Sequence, residues 1–474
     1  MRIIIFGIGK FYQNRKKELH RLNDNIVAFI DNKFTGCGNF EDKKAYNPEY
    51  CQYLDYDKVI LMSAKHDEMS RQLESMGVEK NQIFTWEEYR CYKLRGEINL
   101  YINSVECSKA KKVLIVSTDL NYNGGSLAAI YAVRALKELR YNVWLAVPAA
   151  DKALLSETRK MGINIAVVSG MPYIADEELF WIRNFDVVIV NVFQMVECAY
   201  LINHIRPVMW WIHEPVYDYD HYKETLKKFP KYRTMNNLSE IYTVAVSEVP
   251  KNNFNSYFQN VIKEIMPYGI PDEYERGMIE KCEGNVVFSI IGGISKRKAQ
   301  KIFVEAAVEI CKKYKEAEFW LIGGLGNNSY SEEIKNYVKP YDKIKLCGLM
   351  TRKDIRKAFR DIDAVVCTSI EDPLPIVVTE GMMYGKVCIV SDAVGQASMI
   401  ENGENGFVTK VEDVDELYRT MEWVILHRDE LGSIKKKSRE LYEKYFTMEK
   451  FGERLESGLL QAEKLFYERE GNDR

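Results

Sequence analysis

Short runs of apolar, β-branched residues alternate with longer amphipathic stretches along this chain, and the alternation restarts three times. "RIIIFGIGK" reads as a buried strand entering a glycine turn, "NIVAFIDN" as a second strand ending in Asp31, and "DKVILMSA" as a third. Helical segments such as His66–Val78 lie between them. Strands alternating with helices predict a parallel, Rossmann-like sheet. A second series starts at "KKVLIVST" (Lys111–Thr118) and continues through "NVWLAVP", "FDVVIVNV", "PVMWWIHEP" and "YTVAVSE". "IMPYGIPDEY" (Ile265–Tyr274) reads as a crossing to a third series. That series runs from "NVVFSII" through "AEFWLIGGLG", "KIKLCGLM", "AVVCTSI" and "KVCIVSDA", and the chain is helical by pattern from Asp413 onward. The expected architecture is α/β, with Rossmann-like units at 1–105, 106–270 and 271–445 and a terminal helix at 446–474. Two such units facing each other make a cleft between the carboxyl ends of their sheets, where these folds bind ligands.

Length agrees with this division, since 474 residues at about 150 per domain suggest three units. A 46% hydrophobic fraction with 28% charged residues is globular. No run approaches the roughly 20 apolar residues of a membrane span. The N-terminal apolar run has no small-residue cleavage site. With the scattered cysteines read as reduced thiols, a cytoplasmic location is expected, with a peripheral place at the inner face of the membrane as an option. The ten cysteines stand singly, which excludes a CxxC zinc or redox motif and gives no disulfide framework. A net charge of -3 speaks against general nucleic-acid binding. The cations and aromatics of His221–Arg233 read either as a solvated helix face or as a peripheral contact with an anionic membrane surface or acceptor.

Candidate chemistry concentrates at the ends of strands. In "NGGS" (Asn123–Ser126), Gly124 and Gly125 open a helix where backbone N–H groups can approach an anion, although a plain helix start would look the same. "WWIHEP" ends an apolar strand in His213 and Glu214. "GGISKRKAQ" sets Lys296, Arg297 and Lys298 behind the turn at Gly293. Adjacent like charges usually face solvent, but cations fixed in a dry cleft would stabilise negative charge that develops beside them. Gly324, Gly348 and Leu349 lie in two further strand-to-loop turns. "EDPLPIVVTE" (Glu371–Glu380) sets acids around a β-branched segment that favours a strand by local propensity. "DID" (Asp361–Asp363) is an acid pair that could be mistaken for a metal site, but sparse histidine and the lack of ligand spacing speak against one. In "GIGKFY", Tyr12 stands at the third position of a dinucleotide fingerprint, obstructing approach to a pyrophosphate, although Asp31 lies where a ribose-binding acid would be.

From about residue 111 to 450 these motifs, in this order, resemble the retaining glycosyltransferases of the two-Rossmann (GT-B) fold, family four, also called group 1. The resemblance implies two facing Rossmann-like lobes, an acceptor lobe and a donor lobe, plus a small accessory unit at residues 1–105. It implies that Arg297 and Lys298 hold the diphosphate of a nucleotide-sugar, with Lys296 toward solvent. His213 and Asp372 then orient the donor sugar, Asp372 standing where the family usually has glutamate. Glu380 holds the ribose. Gly124, Gly125, Gly293, Leu374, Ile376 and Val377 line the donor site, and Gly348 and Leu349 border the base. "PIVVT" becomes part of a helix from Pro375 to Tyr384 stopped by Gly385, which leaves Glu371 a bystander. Ala299 stands where the family often has glycine, and Ser398 where it commonly has an acid. The last helix, around Tyr442–Tyr467, packs back on the first glycosyltransferase lobe.

The implied reaction is metal-independent sugar transfer, with retention, to a glycan or lipid-linked acceptor. No cofactor is expected, and a UDP-sugar is expected ahead of a GDP-sugar. The accessory unit serves assembly, including oligomerisation, or acceptor docking. Two other readings are a dinucleotide-dependent oxidoreductase or epimerase built on residues 1–105, and a catalytically silent partner of another transferase.

Overall fold

The computed structural model describes residues 1–103, 110–216, 219, 238–258, 261–262, 264–275 and 284–472. The basic stretch His221–Arg233 lies outside them. Three sheets organise the chain, and nearly all their strands are parallel. Parallel strands are covered on both faces, which is why the sequence runs apolar without alternation. Val187–Asn191 and Val208–Ile212, for example, are buried at every position.

The first sheet has Arg2–Phe6 at its centre between Asn25–Ile30 and Lys58–Leu61. Tyr12 is fully buried, packs edge-on against Phe29 at 5.5 Å, and donates its hydroxyl to Glu41 at 3.0 Å. The Asp31 carboxylate accepts the N–H groups of Ile8 and Lys33, each at 3.1 Å. Asp31 is thus engaged in holding the glycine turn, and Tyr12 in packing the unit's core.

In the second sheet the four central strands run Val208–Ile212, Val187–Asn191, Lys112–Val116, Asn142–Val147. Strand order reverses between Lys112–Val116 and Val187–Asn191. Ile98–Tyr101, within the residues expected to form the first unit, adds to this sheet as an antiparallel edge on Asn164–Val168. The first unit is tied on further by Ser169 N–H to the Glu97 carbonyl at 3.1 Å and by the Cys91 thiol to the Met171 carbonyl at 3.1 Å.

The third sheet is wholly parallel, in the order Ile344–Gly348, Ala317–Ile322, Val286–Ile291, Ala364–Cys367, Val387–Ser391, Phe407–Thr409. Numbered along the chain this is 3-2-1-4-5-6, the doubly wound order, with its switch point between Val286–Ile291 and Ala364–Cys367.

The C-terminal segment forms two helices, Leu431–Tyr445 and Met448–Asn472. The second returns to the lobe of the second sheet. Glu463 pairs with Lys111 at 2.5 Å, and Glu456 accepts the Tyr141 hydroxyl at 2.9 Å. The helix seats closely there, since a Cβ on Gly458 would lie 2.6 Å from the Met209 sulfur and 2.7 Å from Met266 Cε. Asp363, from the acid pair of "DID", is bound to buried Lys435 at 2.9 Å and accepts the Val287 N–H at 3.1 Å.

Candidate active site

A cleft of about 770 Å³ opens between the carboxyl ends of the second and third sheets. Its third-sheet wall is the switch point, formed by the loops that follow Val286–Ile291 and Ala364–Cys367. Gly293, Arg297 and Lys298 come from the first loop, and Asp372, Leu374, Ile376 and Val377 from the second loop and the helix after it. Gly124, Gly125 and His213 face them from the second-sheet lobe. Ten candidates from four separated motifs therefore meet in one cavity.

Local chemistry explains how the cations are set. Ser295 caps the turn Lys296–Lys298 by accepting the Lys298 N–H at 3.4 Å. Buried Gln300 braces the loop, accepting the Ser295 N–H at 3.1 Å and donating to the Gly293 carbonyl at 3.0 Å. Ala299 sits in the left-handed region at φ 49° and ψ 40°, which accounts for glycine being suited to the position. Thr368 holds the Lys298 and Ala299 carbonyls, each at 3.0 Å. Lys298 Nζ reaches the carboxylate of buried Asp372 directly, and Arg297 Nη1 lies 3.5 Å from the same oxygen. Arg297 also donates to the Glu371 carbonyl at 2.9 Å.

"PIVVT" forms a helix, Ile376–Met383, against its β-branched propensity. Burial decides the outcome, because Val378 to Met383 are all buried and the helix packs on Ala364–Cys367 and Val387–Ser391. Pro375 is the N-cap and Gly385, at φ 61°, follows the C-cap Tyr384. The first-turn N–H groups at Ile376 and Val377 thus lie at the cavity wall, where a helix start favours anions. The loop before the helix is fixed by Gly395, whose N–H donates to the Asp372 carbonyl at 2.9 Å, and where a Cβ would lie 1.7 Å from the Pro373 carbonyl.

Glu371 is no bystander. Its carboxylate accepts the Val216 N–H at 2.9 Å and lies within hydrogen-bond reach of the Asn253 amide at 2.5 Å, both from the opposite lobe. The hydroxyls of Ser247 and Tyr268, also from that lobe, donate to the Pro373 and Leu374 carbonyls. The segment 371–374 therefore joins the lobes as well as lining the cleft.

Glu380 stands apart from the lining residues. It is buried one turn into the helix, and burial pushes its carboxyl up, opposed by a direct ion pair with Arg352. Gly348 and Leu349 also lie outside the cavity lining, with Leu349 87% exposed. They precede the Thr351-capped helix that carries Arg352. His213 stacks edge-on against Trp211 at 4.3 Å, and burial pushes its pKa down to about 3, so it is neutral. Its Nε2 is buried with no partner among the described residues. Ser398 faces a different hollow, beside Lys444 and Arg454. Among the described residues no cluster of three or more His, Cys, Asp or Glu is placed to hold a metal, and no helix is long and apolar enough to cross a membrane.

Sequence reasoning missed Arg352, Gln300 and Tyr268. Gln300 followed the cation run it braces, and that adjacency was its signal. Arg352 and Tyr268 carry no local mark, because their partners lie 28 and 106 residues away.

Comparison with known proteins agrees with this geometry. Residues 273–441 match the family described as glycosyl transferases group 1, and residues 1–84 match a C2185-like N-terminal domain. An uncharacterized glycosyltransferase of Haemophilus influenzae is 21% identical over 353 residues, covering 71% of this chain and 96% of that one. An Escherichia coli protein named UDP-Gal:alpha-D-GlcNAc-diphosphoundecaprenol alpha-1,3-galactosyltransferase is 27% identical over 133 residues, covering 27% of this chain and 34% of its own. In structure the chain is similar to Anabaena HepE, solved in complex with UDP and glucose, at a TM-score of 0.62 and 18% identity over 74% of this chain and all of that one. Residues 273–441 therefore carry a group 1 glycosyltransferase domain, within a chain whose fold is that of the GT-B structures it is similar to.

Proposed function

We propose that the chain transfers a sugar from a UDP-sugar to a glycan or lipid-linked acceptor, without a metal and with retention of configuration. The observation that carries this reading is the convergence of Arg297, Lys298, Asp372 and the Ile376–Met383 helix start at the switch point of the third sheet. Residues 271–445 act as the donor lobe and 106–270 as the acceptor lobe. Support for UDP comes from HepE, whose complex holds UDP and glucose. Support for a lipid-linked acceptor comes from the name of the Escherichia coli relative.

In this reading Lys298 and Arg297 exchange part of their contact with Asp372 for the donor diphosphate, beside the helix N–H groups. Two cations and a helix start supply the positive field that stabilises the leaving group. Glu380 accepts the ribose hydroxyls while Arg352 shares its charge. Asp372 and neutral His213 orient the sugar, His213 offering an uncharged nitrogen to a hydroxyl. The bond from sugar C1 to the diphosphate oxygen breaks and a bond from C1 to the acceptor oxygen forms on the same face. The acceptor proton passes to the departing phosphate oxygen, so no protein base is required.

A thermal-shift screen of UDP- and GDP-sugars, followed by transfer assays of Lys298→Ala and Glu380→Ala, tests the reading. Stabilisation by UDP-sugars and loss of transfer in both variants are expected. Undiminished turnover by either folded variant would refute it.

A further inference from the structure

The second sheet reverses its strand order between Lys112–Val116 and Val187–Asn191. Open α/β sheets bind ligands in the crevice outside such a reversal. In this chain that crevice is a second cavity, of about 560 Å³, and the N-terminal unit forms its other wall. Thr118 and Gln194 come from the two loops at the reversal, and Pro148 and Met171 from the loops after the next two strands. Arg15, Glu18, Glu87 and Arg90 come from the N-terminal unit.

The crevice adjoins the donor cleft. Buried Asn191 donates to the Gly125 carbonyl at 3.1 Å and to the Ser117 hydroxyl at 3.0 Å, linking a residue of the donor cleft to the neighbour of Thr118. On the next residue, Val192 is held at φ 78° and ψ 152°. A β-branched residue there is strained, and such strain persists where the surrounding structure fixes it. Trp210 Nε1 donates to the Val192 carbonyl at 3.0 Å, and the Val192 N–H donates to the Trp211 carbonyl at 2.9 Å. The turn so fixed delivers Gln194 to the cavity, where its amide oxygen is buried with no hydrogen-bond partner among the described residues.

The lining also restricts the occupant. Three carboxylates (Glu18, Glu87, Glu197) accompany two guanidiniums (Arg15, Arg90), and Arg90 is paired with Glu18 at 2.8 Å. Burial pushes the Glu87 carboxyl up, and even with Glu87 neutral the two remaining carboxylates match the two guanidiniums, so a phosphate or diphosphate would meet no net positive wall. Part-exposed Pro172 and Tyr173 add apolar and aromatic surface between these polar groups, with Trp86, Met171 and Val196 buried behind them. Closely spaced acceptors and donors beside part-exposed apolar and aromatic groups suit an uncharged ring bearing several hydroxyls.

We propose that this crevice, roofed by the N-terminal unit, binds a sugar residue of the acceptor and so sets which acceptor reaches the donor cleft. The inference rests on the glycosyltransferase reading above and gives the N-terminal unit a part in substrate recognition.

Saturation-transfer NMR on the full chain, with the donor cleft filled by UDP, provides the test. The probes are galactose, glucose, N-acetylglucosamine and inorganic phosphate. Wild type is expected to show transfer to at least one of the sugars and none that phosphate displaces. Arg90→Ala and Gln194→Ala, on opposite walls, are each expected to weaken that sugar's binding by about fivefold or more, with UDP affinity unchanged. No sugar signal, displacement by phosphate, or full sugar binding in both variants would overturn the proposal. UDP affinity measured on the same samples separates this failure from failure of the donor site, since loss of UDP binding in wild type would refute the glycosyltransferase reading instead.

Discussion

Replacing Lys298 by methionine removes a charge while keeping most of the side chain's length. In the structure the Lys298 Nζ rests on the Asp372 carboxylate, while its backbone is held by Ser295 and by Thr368 at 3.0 Å. Those backbone contacts survive the substitution, so the loop geometry should persist. Asp372 keeps Arg297 at 3.5 Å and Ser369 at 3.4 Å as partners. Losing its strongest partner is expected to cost about 1–3 kcal/mol of stability. The catalytic effect is larger in kind. A unit charge about 4 Å from a developing phosphate charge, at an effective dielectric near 20, contributes about 4 kcal/mol. Arg297 retains part of the field, so kcat should fall about 10²–10³-fold, the range seen when one preorganised charge-stabilising group is removed. Donor KM should move much less, because the charge on the diphosphate grows only as the bond breaks. UDP release measured with and without acceptor gives kcat and KM, and circular dichroism reports the fold. A folded variant with kcat within about threefold of wild type would refute the assignment of Lys298 to the leaving group.

Glu380→Gln should separate stability from function. Burial raises the Glu380 carboxyl in the folded chain, so the native state binds the extra proton and stability falls as pH rises from the unfolded pKa toward the folded one. The variant removes that loss, and half-exposed Arg352 can be solvated. Its melting temperature near pH 7 should equal or exceed wild type while UDP binding weakens, and a lower melting temperature with intact UDP binding would contradict the account. Ala299→Gly relieves the left-handed backbone at φ 49° and should stabilise the chain by up to about 1 kcal/mol. Thermal unfolding checks this, and a clear destabilisation would refute the strain argument. Gly458→Val drives a side chain into Met209 and Met266, so it should cost about 1–3 kcal/mol and loosen the terminal helix from its lobe. Limited proteolysis within 448–472 would report the loosening, and wild-type resistance would contradict it.

The three sheets were legible because a parallel strand buried on both faces must be an unbroken apolar run between turns. Their boundaries were less so. Ile98–Tyr101 joins the second sheet as an antiparallel edge, and only Ile98 and Tyr101 are even partly buried, so the strand carries no strong apolar signal. "PIVVT" (375–379) reads locally as a strand, and only the resemblance made it part of a helix, because tertiary burial overrides β-branched propensity there. The candidate site was legible where chemistry is local, as in Arg297 and Lys298. It was illegible where a side chain's meaning depends on a distant partner. Arg352 gains its role from Glu380, and Glu371 from the other lobe's Val216 and Asn253.

The most direct test is a crystal structure of this chain with UDP. The diphosphate should lie within hydrogen-bond distance of Lys298 Nζ and the N–H groups of Ile376 and Val377, with the ribose hydroxyls on Glu380. UDP bound at the Gly7–Lys10 turn of the first unit, or in the switch-point cleft with its ribose away from Glu380, would contradict the account.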